Sequence, residues 1–371
     1  NIDEENVRIN QVQSIEIMKR ASIVLVGMFA MWHTLVCGQE SSTNSDSYGF
    51  SASFPEIHSA SDVVFYKTEG KNGQIDPHAI YFNISSQLDR DLTAMGEFEI
   101  EHGNELKLTR MFADWRIHKA MALMFGVNMA PFGLLDRVYY APLDLRKFRK
   151  HPRAIRKIVP AGWRQTGFFV HGVISIKDSV GMQLKYDVSL STGLGATAFN
   201  DVRKSRQYRD NNNNKTLTAR LSYCLSKELE IGGSYSYGLY DDLDQDAISI
   251  IGGHFIFQKT NYSLLGEYIS STVEDSTATL IRSGFYIASG YKLFTGKKWK
   301  KLKYLEPVVR LELFNPNEAI KDQSDQTKVS LGVIVAPHEH FKFRLEYHIV
   351  NEQHGAKIAN DEFSIQAVID F

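Results

Sequence analysis

The sequence predicts an all-β fold: a transmembrane antiparallel β-barrel of about 16 strands, preceded by a cleavable signal peptide. Three observations predict it. Apolar and polar residues alternate over segments of nine or more residues. Short and long connections between those segments sort to opposite ends. The alternation also runs to the last residue, in SIQAVIDF, Ser364 to Phe371.

Residues 1–17 precede a plausible start, Met18, and fit no secretory pattern, so they are read as an upstream, non-structural segment. Met18 to Gly38 reads MKRASIVLVGMFAMWHTLVCG. Lys19 and Arg20 supply the charged start, Ala21 to Trp32 the apolar stretch, and Val36 and Gly38 the small residues before a cut at Gln39. That is a secretory signal. A membrane anchor is the alternative, but the run is short for one. Cys37 leaves a lipoprotein signal open, although Thr34, Leu35 and Val36 lack the small residue expected before the cysteine. Removal of Cys37 with the signal leaves Cys224 alone, so no internal disulfide staples the exported chain. Residues 39–60 are read as a linker, and 61–371 as the barrel.

Sixteen segments alternate: 61–68, 79–89, 92–101, 106–116, 120–129, 164–176, 181–191, 216–226, 229–240, 246–258, 262–272, 279–293, 303–314, 327–336, 341–351 and 361–371. In one of them Met182, Leu184, Tyr186, Val188 and Leu190 alternate with Gln183, Lys185, Asp187 and Ser189. Strands of soluble proteins average about 5–6 residues, whereas a tilted strand needs about 9–11 to cross a bilayer. With the first strand running outward, six of the seven inner links are short, such as Asp89-Arg90-Asp91 and Ser226-Lys227, and Phe294–Leu302 is the longer one. The long links 130–163, 192–215 and 315–326 all fall at the other end, as in outer-membrane barrels. Helix is expected only in the signal and in a turn or two within 130–163. Export with an all-β chain also fits a periplasmic sandwich or a surface adhesin.

Composition agrees with this class. A chain of 371 residues could hold two or three domains, but single barrels exceed that prior. Mean hydropathy of -0.25 with 43% hydrophobic residues excludes a multi-helix membrane protein. A half-apolar strand barrel remains allowed. The net charge of -1 gives no reason to expect a nucleic acid partner.

FGVNMAPFG, Phe125 to Gly133, with Gly126, Pro131, Phe132 and Gly133, resembles the strand-to-loop motif of the phosphate-selective porin O/P family. GWRQTGFFVHG, Gly162 to Gly172, is similar to that family's return strand. The resemblance implies a trimeric anion channel of sixteen strands in the outer membrane of a Gram-negative bacterium. The family's lysine and arginine ladder does not map onto this chain residue by residue.

The link after the fifth segment is the richest candidate for function. Residues 131–163 hold Arg137, Arg146, Lys147, Arg149, Lys150, Arg153, Arg156 and Lys157 against Asp136 and Asp144, an excess of 8 − 2 = 6 positive charges in a neutral chain. It is the third long-end link, the one that in sixteen-stranded porins often folds inward. Leu134, Leu135, Val138, Tyr139, Tyr140, Leu143, Leu145, Phe148 and Ile155 would pack it on the inner wall, leaving the cations to face a water-filled eyelet. Cations lining a narrow pore favour anions, and Arg adds a bidentate grip on phosphate or carboxylate. A solvated basic loop, or one that binds anionic lipopolysaccharide, is the alternative. Arg110, Arg116, Arg164, Lys185, Arg220, Arg282, Arg310, Lys342 and Arg344 are candidate lumen-wall residues, with Glu97, Glu99, Glu306 and Glu312 among them. Arg203, Lys204, Arg206 and Arg209, before Asn211 to Asn214, would make either an electropositive vestibule or, more plainly, a flexible polar loop.

The reading is therefore a porin for passive diffusion of small anionic solutes. A plugged or structural barrel subunit of an envelope complex is the alternative, and a barrel enzyme a more distant one. No cofactor, metal or nucleotide motif is present: there is no Gly-x-Ser-x-Gly, Walker loop or cysteine pair, and His338-Glu339-His340 reads as a polar turn. The expected partners are outer-membrane lipid, lipopolysaccharide and the barrel-assembly machinery, with a homotrimer implied by the resemblance. Phe371 is read as the terminal aromatic recognised during assembly. Deleting Phe371 is therefore expected to lower the amount of protein inserted in the membrane, measured by fractionation, while the channels that do form keep their properties.

Overall fold

The computed structural model describes residues 55–139, 146–294 and 301–370. The signal segment, the linker up to residue 54 and Phe371 lie outside the described residues.

The strands are β1 (Glu56–Thr68), β2 (Gln74–Asp89), β3 (Leu92–Glu101), β4 (Glu105–His118), β5 (Met121–Met129), β6 (Arg164–Lys177), β7 (Met182–Ser191) and β8 (Thr216–Cys224). They continue as β9 (Leu229–Leu239), β10 (Ala247–Lys259), β11 (Tyr262–Asp275), β12 (Ala278–Tyr291), β13 (Tyr304–Asn315), β14 (Gln326–His338), β15 (Phe341–Glu352) and β16 (Glu362–Asp370). Leu293–Phe294 prolongs β12 beyond Lys292 and pairs with β13, so the seventeen paired segments form sixteen strands. Each strand is antiparallel to its neighbours, and β16 closes on β1 from Ala60↔Asp370 to Thr68↔Glu362. The closed sheet has no free edge, which a bilayer requires.

The alternation works because the two faces meet different surroundings. On β8, Thr216, Thr218, Arg220 and Ser222 point inward and are buried, while Leu217 and Leu221 point outward and stay 45% and 54% exposed. On β16, Glu362, Ser364 and Gln366 are buried, and Phe363 and Ile369 are exposed. Polar inside and apolar outside inverts the soluble pattern and suits a wall bathed in hydrocarbon.

Two starts differ from the sequence expectation. β1 begins at Glu56, inside the stretch read as linker, and β2 begins at Gln74. The β1–β2 register shifts between Asp62 and Val64, and Pro77 lies within β2. A bulge resets which face each residue takes, so the alternation is interrupted where the pairing is not. Short turns join the strands at one end. The long connections 130–163 and 192–215 leave from the other and enter the barrel.

The interior is not uniformly polar. On one side the inner wall carries Ile248, Ile250, Leu265, Ile269, Val273, Tyr286, Ala288 and Phe314, from β10 to β13. These pack with Phe132, Leu134, Leu135, Val138, Ile155, Ile158, Val159 and Trp163 of the first long loop and with Leu194, Ala198 and Val202 of the second. The expected packing of the loop's apolar residues on the wall therefore holds for those described. Tyr140, Leu143 and Leu145 lie outside the described residues.

Two substitutions compare the faces. Leu221→Arg, on the outer face near mid-strand, should cost about 2–4 kcal/mol. Asn83→Arg, on the half-buried inner face beside Glu97, should cost clearly less. Equilibrium unfolding in phospholipid vesicles checks both.

Candidate functional site

The site starts where β5 gives way to the loop. At Gly126 (φ +138°) an added Cβ would meet the backbone of Met111, so only glycine allows the close approach of β4 and β5. At Gly133 (φ +51°) a Cβ would collide with Oε1 of Glu267. The freed space is used for bonding. The Gly133 N–H donates to Ser234 Oγ at 2.9 Å and the Leu134 N–H to Glu267 Oε1 at 3.2 Å. The Tyr286 hydroxyl donates to Glu267 Oε2 at 2.8 Å. Arg220 Nη1 donates to the Gly133 carbonyl at 3.0 Å, and its Nη2 reaches Asp136 at 3.1 Å and Asp187 at 2.9 Å. Phe132 is fully buried, and its ring comes so near Gly252 that a Cβ there would stand 3.0 Å away. The first turn of the loop is thus fastened to β8, β9 and β11, with Tyr286 of β12 bracing Glu267.

A π-helical turn, Leu135–Tyr139, follows, and its Arg137 forks onto Glu230, with 2.7 Å between Nη2 and Oε2. Further on, Phe148 packs with Val308 and Ile334, and the Arg310 guanidinium lies 4.8 Å from its ring centroid. The short helix α1 (Arg153–Lys157) begins after Pro152, and the Arg153 N–H donates to Glu312 Oε2 at 2.8 Å. Trp163 is buried where the loop rejoins β6.

The eight cations of this loop do not share one role, and for several the structure corrects the expectation of an open eyelet. Arg146, Lys147 and Arg149 are buried rather than water-facing. Arg146 donates to the carbonyls of Phe148 and Arg149. Lys147 pairs with Glu306 at 2.5 Å, and Arg149 with Glu362 at 2.9 Å. Lys150 also pairs with Glu362, and Arg137 with Glu230. The cause is the wall itself: inward carboxylates buried in the lumen need partners, and the loop supplies them. Arg153, Arg156 and Lys157 have no side-chain ion pair or hydrogen bond among the described residues. With Lys150, His151, Lys328, His348, Val350, Asn360 and Glu362 they line a cavity of about 160 Å³. Burial, then the charges of Arg203, Arg153 and Arg149, pull Arg156 below the usual arginine range. Burial, with the charges of Arg146, Arg156 and Arg310, holds His151 well below the usual imidazole range.

The wall residues are largely compensated. Arg110 meets Glu97 at 3.4 Å, Arg164 meets Glu99 at 2.9 Å, and Lys185 meets Glu230 at 3.0 Å. Arg310 pairs with Glu312 at 2.7 Å, and Arg344 donates to Gln366 at 3.0 Å. Arg282 instead holds the second loop through the carbonyls of Ala198 and Phe199. Lys342 is buried on the wall. Arg116 is exposed near the short-turn end.

The second loop is built rather than loose. Asn211 Nδ2 donates to the Tyr240 carbonyl at 3.0 Å, Asn212 Nδ2 to the Leu239 carbonyl at 3.0 Å, and the Leu239 N–H to Asn214 Oδ1 at 2.9 Å. The asparagine run is a set of caps over β9. Composition reads it as flexible because the partner carbonyls are distant in sequence.

Several solved structures share this architecture. OmpT of Vibrio cholerae, in its trimer form, aligns with a TM-score of 0.60 at 12% identity, covering 87% of this chain and 100% of that one. The fold is that of the outer-membrane porins. An anion-selective porin from Comamonas acidovorans aligns at 0.59 and 9% identity, over 86% of this chain and 99% of the other. The channel DcaP of Acinetobacter baumannii aligns at 0.56 and 9% identity, over 90% and 100%. No family model matches the sequence, and no curated protein matches it. This porin fold therefore comes with a loop fastening read from this chain's own residues.

Gly133→Ala tests that fastening. It should undock the loop and destabilise the barrel by about 1–3 kcal/mol. Trypsin should cut the basic loop faster in this variant than in the parent protein.

Proposed function

We propose that the protein is an outer-membrane porin for passive diffusion of small solutes, with a preference for anions of the phosphate or carboxylate type. One observation carries the preference. Inside a lumen where many charges are paired, Arg153, Arg156 and Lys157 face a cavity and make no side-chain ion pair among the described residues. Fixed positive charge between low-dielectric walls attracts anions and repels cations. Desolvated guanidinium groups gain most from an oxyanion that accepts a fork of N–H bonds. The similarity to an anion-selective porin supports the reading. The resemblance of Phe125 to Gly133 and of Gly162 to Gly172 to the phosphate-selective porin family supports it also.

In this reading the chain is exported through its signal and sits in the outer membrane of a Gram-negative bacterium. The short turns face the periplasm and the long loops face outward. The apolar outer wall contacts lipid and lipopolysaccharide, and insertion uses the barrel-assembly machinery. A homotrimer fits the description of a neighbour as a trimer. Transport runs down a gradient, with no cofactor and no chemical step.

Planar-bilayer recording tests the proposal. The protein should give ion-permeable channels with a chloride preference, and absence of conductance would favour a plugged barrel. Changing Arg153, Arg156 and Lys157 together to Glu should lower the anion-to-cation permeability ratio by roughly tenfold or reverse it. Lys147→Ala, which strands the buried Glu306, should instead cost about 3–5 kcal/mol of stability. A triple variant with unchanged reversal potential would remove the loop's assigned role.

A further inference from the structure

A second cationic cavity, lined by different residues from the first, opens where the loop 192–215 crosses the long-loop ends of β4 and β6. Its volume is about 530 Å³, and Arg203, Lys204, Arg206, Asp201, Gly162 and Tyr208 shape it. Two other cations at its edge are spent on the wall: Lys107 on Glu101 and Glu105, and Arg164 on Glu99. Arg203 and Lys204 are not. They are exposed and make no ion pair among the described residues. Asp201 is the only carboxylate lining the cavity among the described residues, and its Oδ1 accepts the Arg203 N–H at 3.0 Å. Arg206 donates to the carbonyls of Ala161 at 2.7 Å and Arg203 at 2.9 Å, which fix its position at the cavity. The ligand-facing charge is thus that of Arg203 and Lys204.

The shape argues for more than a simple ion. A cavity of this size falls within the about 300–1,000 Å³ typical of small-molecule sites. Tyr208 anchors its hydroxyl on the Leu108 carbonyl, 2.5 Å away, and the residue stays 41% exposed beside the cations. Sugar C–H groups stack on an aromatic face, and phosphate oxygens accept from Arg and Lys. We propose that this basin binds a phosphate-bearing saccharide. Two sources share that chemistry: a soluble sugar phosphate, and the phosphorylated headgroup of a glycolipid at the outer surface. The basin also sits within electrostatic reach of the first cavity, because the Arg203 charge acts on Arg156. The proposal does not depend on the ion preference of the channel.

Isothermal titration of the full-length protein in detergent tests it. The probes are glucose 6-phosphate, a bisphosphorylated glucosamine disaccharide, and unphosphorylated glucose as control. At least one phosphorylated probe should bind, glucose should not bind comparably, and added salt should weaken the binding. Arg203→Glu with Lys204→Glu should weaken it by about tenfold or more, and Arg203→Gln alone should weaken it in the same direction. Binding of glucose 6-phosphate identifies a soluble ligand, whereas binding of the disaccharide alone identifies a lipid headgroup. The proposal is overturned if neither phosphorylated probe binds, if glucose binds as well, or if the folded variants bind like the parent. Ion selectivity is recorded separately on the same variants, so loss of the anion-channel reading would leave the titration result standing.

Discussion

The fastening of Gly133 to the inner wall is the constraint on which the rest of the interior depends. A glycine with a left-handed backbone brings the loop close enough for Ser234 and Glu267 to accept its N–H groups, while Arg220 takes its carbonyl. Once that turn is fixed, the direction of the chain is fixed too. The apolar side of the loop then meets Ile250, Leu265, Ile269 and Tyr286, residues that would otherwise face a lumen. The hydrophobic effect does here for a loop what it does for a core helix in a soluble domain.

Charge pairing sets the next level. Inward carboxylates at Glu230, Glu306, Glu312, Glu346 and Glu362 cannot stay buried alone. The loop meets them with Arg137, Lys147, Lys150, the Arg149 side chain and N–H, and the Arg153 N–H. What remains positive after this pairing is a much shorter set of residues than the sequence contains. That remainder, on α1 and its surroundings, has a local position and a narrow cavity. A lumen whose mean charge is balanced can still present a sharply cationic passage.

The fold was largely legible because a strand with lipid on one side and water on the other is forced to alternate for its full length. Leu217 to Cys224 shows this in its simplest form. The starts of β1 and β2 were not legible, since a bulge near Asp62 and the proline at 77 disturb the pattern without breaking the pairing. The inward loop was visible in its mixture of leucines, aromatics and arginines, but its charge partners were not. Glu306, Glu346 and Glu362 lie far along the chain, and nothing local marks which arginine each will meet. One signal was available and passed unused. Ala247-Ile248-Ser249-Ile250-Ile251 places isoleucines on both faces of β10, which tells of a covered inner surface.

The central claim is that uncompensated cations of the docked loop hold anions inside the barrel. The most direct test is a crystal of the protein grown in sodium bromide, with the bromide located by its anomalous scattering. A bromide peak is expected in the cavity beside Arg153, Arg156 and Lys328. A cavity with no halide at high bromide, or one that takes up caesium in a parallel soak, would contradict it.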